Sequence, residues 1–185
     1  MELKYKLLDH PFYQSWMKGE ITADQLAKYH SSYNEFIELM PVYWDKIIKS
    51  FNEESNFAKK VVQEETEHIA LWQDWKGRLP ITETYPGMQD VIQELNNMNT
   101  SELLGAIQAF EMQQPEVAET KKEGLMCHYG FNASELKYFD EHINEEPHIA
   151  FGRQLAKRNA NMEDFQKGFD RGAELYYNAL DKYLN

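Results

Sequence analysis

A single cysteine, Cys127, in 185 residues excludes an intrachain disulfide and the small, covalently stapled secreted folds that depend on one. Basic side chains are scarce as well: 19 Lys and Arg against 31 Asp and Glu leave a formal net charge of −12. That balance argues against nucleic acid and anionic membrane surfaces as partners. No apolar run approaches a membrane span, and the opening MELKYKLLDHPFYQSW lacks the unbroken apolar stretch of a signal peptide. No membrane role and a cytoplasmic location are therefore expected. Proline and glycine are few, 6 and 9, and sit mostly at boundaries, which excludes collagen-like and low-complexity sequence.

What is present is the composition of a globular protein, 42% hydrophobic and 14% aromatic. The length suits one full core, so residues 1–185 are expected to form one domain. Between the boundaries the apolar period is helical and no strand alternation is convincing. A first short helix is expected near Asp9, with Pro11 in its first turn. Thr22 and Gln25 form a capping box for a second, which carries Leu26, Tyr29, Tyr33, Phe36, Ile37 and Met40 on one face. It should kink near Pro41 and continue to Phe51. A third helix covers Ser55 to Trp75, and a fourth Met88 to Met98 after the loop PITETYPG. Ser101 can cap a fifth, which Pro115 should bend and Gly130 should end. Asn132 with Glu135 opens a sixth, and Asn161 a last helix striped with Phe165, Phe169, Ala173, Tyr176, Tyr177, Leu180 and Leu184. The architecture predicted is an all-α bundle of about seven helices.

Three of these helices carry acids and histidines where apolar side chains should point inward. The third has QEETEHIALW, with Glu65 and His68 on the face of Leu71 and Trp72. In the fifth, Glu111 interrupts the stripe of Leu103, Leu104, Ile107 and Phe110. The sixth holds YFDEHINEEPH, with His142, Glu145 and His148 at successive spacings of three. Three carboxylates and three imidazoles are about what two first-row metal ions need, with positions left for oxygen or substrate. Without metal, burial of these groups would cost several kcal/mol of desolvation per charge. By spacing alone, a metal centre and a solvated acidic face with hydrogen-bonded histidines both account for the pattern. Glu64 rivals Glu65, and Glu146 rivals Glu145. Six residues of ideal helix rotate about 600°, so His142 and His148 share a face only if Pro147 introduces a local bulge.

The stretch LLDHPFYQSWMKGEITADQLAKYHSSY resembles the amino-terminal part of the TenA/PqqC proteins, which have the heme-oxygenase-like helical fold. EETEHIALW, AFEMQQPEVAETKKEGL and YFDEH resemble one branch of them, the non-heme di-iron oxidases typified by the Chlamydia protein associating with death domains. The resemblance implies Glu65, His68, Glu111, His142, Glu145 and His148 as ligands of two irons, or of one iron and one manganese. It implies dioxygen as co-substrate and an external reductant. The branch is implicated in making para-aminobenzoate for folate from its own side chains, which points to Tyr13 as source of the ring and Lys121 as amino donor. Tyr29 and Tyr138 fall where the family places further tyrosines near the metals. The fold often assembles, so a homodimer is an expectation. Two alternatives follow from the same kinship: TenA-like hydrolysis of an aminopyrimidine with Cys127 as nucleophile, and a non-catalytic helical interaction module.

Overall fold

The computed structural model describes residues 2–184. Among them are nine α-helices and four short 3₁₀ turns, with no strand. The helices are α1 (Pro11–Met17), α2 (Ala23–Ser50), α3 (Asn56–Asp74), α4 (Gln89–Asn97), α5 (Thr100–Glu111), α6 (Gln114–His128), α7 (Lys137–Ile143), α8 (Glu146–Asn159) and α9 (Met162–Ala179). The expected seven become nine because two of them break. Met112 and Gln113 separate α5 from α6, and Asn144 and Glu145 separate α7 from α8. In each case a proline, Pro115 or Pro147, sits in the first turn of the new helix, where its missing N–H is not needed.

Pro41 does not divide α2, which runs unbroken for 28 residues. The capping box at Thr22 and Gln25 forms as expected, and Asn161 caps α9. Asn99, not Ser101, caps α5, because its side chain can accept from the amides of both Ser101 and Glu102. Asn132 and Glu135 open a 3₁₀ turn just ahead of α7 rather than the helix itself. Gly130, at φ +71°, ends α6 in the left-handed region where a Cβ would be strained.

Helix α5 packs most extensively on α9, α2 on α3, and α6 on α7. Gly105 and Gly168 let α5 and α9 approach until backbones nearly touch: a Cβ on Gly168 would stand 1.9 Å from the carbonyl oxygen of Glu102. The core is rich in large aromatics, with Trp16, Trp44, Trp72, Trp75, Tyr13, Tyr29, Tyr33 and Tyr138 fully buried. No helix among the described residues is long and apolar enough to cross a membrane.

Candidate metal centre

Helix α3 brings Glu65 and His68 to one face, and the end of α5 supplies Glu111. Helix α7 supplies His142, the α7–α8 junction Glu145, and the first turn of α8 His148. The six side chains expected to face inward are all buried, and they come from four helices and one break rather than from three rods. The break replaces the bulge expected near Pro147. It resets the helical phase between His142 and His148, so that both face the same interior.

Ligand-type atoms of Glu65, Glu111, Glu145 and His148 all lie within 4.8 Å of one another. His148 Nδ1 lies 2.6 Å from Glu145 Oε1 and 3.3 Å from Glu65 Oε1, yet without the alignment of a hydrogen bond. Beside them, His68 Nδ1 stands 3.5 Å from Glu65 Oε2, and His142 Nε2 stands 3.9 Å from Glu145 Oε2. His68 Nδ1 and Glu145 Oε2 are buried without a hydrogen-bond partner among the described residues. Orphaned polar atoms of this kind are costly unless something else meets them. Three carboxylates converging on imidazoles fit a metal cation, and the donor set suits first-row metals.

The two rivalries separate by burial. Glu65 is 4% exposed and points inward, whereas the Glu64 side chain is 31% exposed and pairs with Lys60 at 2.8 Å. Glu145 is likewise 4% exposed, and Glu146 is exposed.

Electrostatics reflect the crowding. Burial and the nearby Glu145 and Glu65 hold the Glu111 carboxyl well above the usual range, against a 3.4 Å hydrogen bond donated by Trp44 Nε1. Burial would raise Glu65 too, but His148 and His68 outweigh it and bring the carboxyl down to about 2. Burial lowers His142 to about 4, leaving it neutral at pH 7. Its Nδ1 lies 2.7 Å from the carbonyl of Tyr138, which can only accept, so Nδ1 carries the proton and Nε2 presents a lone pair.

Tyr138 stacks on His142, with ring centroids 4.0 Å apart. Tyr13 and Tyr29 form a separate group, their hydroxyls 3.1 Å apart. Lys121 belongs to that group. Its Nζ lies 5.7, 5.3 and 5.4 Å from the ring centroids of Tyr13, Tyr29 and Tyr33. The lysine is 2% exposed and burial lowers it to about 7, while its neighbour Lys122 pairs with Asp140 nearer the surface. Tyr29 thus lines the lysine pocket rather than packing on the histidines. Cys127 is exposed and borders a shallow cavity with Met17, Gly124 and His128, away from the buried cluster.

Two side chains in these surroundings were not singled out by sequence, and a third, Glu64, was weighed only as a rival ligand. Trp44 supports Glu111, Tyr33 completes the rings around Lys121, and Glu64 Oε2 meets His148 Nε2 at 3.1 Å. Tyr33 stood in the apolar stripe of α2, where nothing distinguished it from core. His30 stacks on Trp72 and bonds the Trp72 carbonyl at 2.9 Å.

Residues 59–177 match the family of iron-containing redox enzymes. This chain belongs to that family. It is similar to the 4-aminobenzoate synthase of Chlamydia trachomatis, 28% identical over 200 aligned positions that cover 97% of this chain and 87% of that one. It is similar also to the 4-aminobenzoate synthase of Chlamydia muridarum (26% identical, 96% and 84% covered) and that of Nitrosomonas europaea (26% identical, 74% and 66% covered). A crystal structure of a TenA homolog from Pseudomonas syringae superposes with a TM-score of 0.79 at 12% identity, covering 96% of this chain and 86% of that one. The fold is therefore heme-oxygenase-like, of the TenA type, as the amino-terminal resemblance implied.

Proposed function

We propose that this member of the family is a dioxygen-dependent synthase of 4-aminobenzoate that consumes its own Tyr13 and Lys121. The observation that carries the reading is a buried amine among tyrosine rings, in the same interior as a buried cage of three carboxylates and three imidazoles. The relatives' names supply the product class. Glu65, His68, Glu111, His142, Glu145 and His148 would hold two irons, or one iron and one manganese. When bound, the metals supply the redox chemistry by which dioxygen, with an external reductant, oxidises the tyrosine.

The chain's own groups do the rest. Burial keeps the Tyr13 phenol protonated, and its hydroxyl has the Tyr29 oxygen at 3.1 Å as a partner for proton exchange. Burial also favours the neutral form of Lys121, and an uncharged Nζ retains the lone pair that an amino donor needs. The Tyr138 carbonyl fixes the tautomer of His142, and Trp44 Nε1 steadies Glu111. The aromatic wall of Phe12, Trp16 and Tyr183 excludes water from Tyr13 and Tyr29.

The test is protein made with ring-labelled tyrosine, loaded with iron alone or with manganese, then given reductant and air. Labelled 4-aminobenzoate and a protein mass reduced at Tyr13 are the expected results, with Tyr13→Phe giving at least a hundredfold less product. Unlabelled product, or normal yield from Tyr13→Phe, overturns the self-consuming step. His142→Ala should lose metal, and two ions retained per chain would overturn the ligand assignment.

A further inference from the structure

The buried cluster has an opening. A cavity of about 220 Å³ is floored by His68, Glu145 and His148 and rimmed by Lys60, Glu64 and Glu141. The floor groups are buried and the rim groups are partly or wholly exposed. Three buried atoms without a hydrogen-bond partner among the described residues, His68 Nδ1, Glu145 Oε2 and His148 Nδ1, belong to residues of that floor. Glu64 bridges the two levels. Its Oε1 pairs with the exposed Lys60 at 2.8 Å, and its Oε2 lies 3.1 Å from the buried His148 Nε2.

We propose that this cavity is the port through which metal ions reach the cluster, with Glu64 as its receiving carboxylate and as the positioning residue for His148. The inference rests on the metal-centre reading above. Lys60 is a long, exposed cation held by one surface pair, so an arriving divalent ion can displace it at little cost. The Glu64 oxygen freed in that exchange is the first negative ligand the ion meets, with Glu145 next inward. With Nε2–H donated to the other Glu64 oxygen, Nδ1 is the nitrogen left facing Glu145 and Glu65, and an ion seated among them would replace its proton and take its lone pair. One side chain thus draws the ion in and sets the tautomer of the imidazole that receives it. Glu64 lies beside Glu65 in sequence but meets His148 from the partly exposed side, so a rival for the ligand role becomes its doorkeeper.

The test is stopped-flow uptake of cobalt(II) by metal-free protein, read by the visible absorption of bound cobalt, for wild type, Glu64→Gln, Glu64→Ala and Lys60→Ala. Glu64→Gln keeps an acceptor for His148 but loses the charge. It should load at least tenfold more slowly, reach a near-normal end point, and lose the salt dependence of the wild-type rate. Glu64→Ala should load slowly and also bind 10- to 100-fold more weakly, the range for removing a partner of a ligating histidine. Lys60→Ala should load faster. Wild-type rates and affinities in both Glu64 variants would overturn the port and the positioning role, while leaving the metal centre standing. A wild-type protein that takes up no cobalt would instead overturn the metal centre, and the port with it.

Discussion

Two adjacent lysines are ordinarily a solvated pair, yet of Lys121 and Lys122 the first is buried. The direction of its effect on stability follows from linkage. Burial brings its pKa from 10.5 to about 7 in the folded protein. Between those values the unfolded chain holds the extra proton, so the lysine's penalty on folding is full near pH 7 and shrinks as pH rises. Lys121→Met, similar in length and uncharged, should melt above wild type at pH 7, with the advantage falling away by pH 10. Equal advantages at both pH values would show that the lysine is not buried as a neutral amine. The ligand-type residues were legible because Glu65, Glu111 and His142 interrupt apolar stripes. Which of Glu64 and Glu65 is the more buried was not, since neighbours on a helix differ by about 100° and only the packed partners fix which direction is inward.

Helix boundaries were mostly readable from caps, because Thr22, Asn161 and Gly130 act through local hydrogen bonds and backbone sterics. The two prolines marked the right places but not the severity of what happens there. A proline in a helix can bend it or start a new one, and the choice depends on whether packing rewards a change of direction. At Pro147 the break carries His142 and His148 to a common interior, which a continuous helix could not do. The α5–α9 contact carries its own prediction. A Cβ at Gly168 would press on the backbone of Glu102, which cannot swing aside as a side chain could. Gly168→Ala should cost about 1–3 kcal/mol, at the upper end of that range, measured by denaturant unfolding. A loss no larger than for an alanine at an exposed position would mean that the two helices separate readily.

The molecule as a whole places its negative charge in two roles. Most of the net −12 is solvated surface, but Glu65, Glu111 and Glu145 are enclosed in one cluster with three histidines. A cation bound there would relieve the repulsion by which Glu145 and Glu65 help hold Glu111 above its ordinary range. Ferrous iron added without oxygen should therefore raise the melting temperature. At a hundred times the dissociation constant, binding is worth about 2.7 kcal/mol. For a chain of this size that corresponds to roughly 5–10 °C. A chelator should reverse the shift, and His142→Ala should show little of it. An identical rise in His142→Ala would place the iron elsewhere.

The all-helical class, the helix order and the residue types available for a metal cage were determined by the sequence, because periodicity, caps and interrupted apolar stripes are local signals. Only the tertiary structure decided that α3, α5, α7 and α8 bring those residues together, that Lys121 is enclosed by three tyrosine rings, and that Glu64 stands at the opening. Each of these depends on the relative placement of helices distant in sequence, which is set by how whole faces pack and leaves no mark within any one segment.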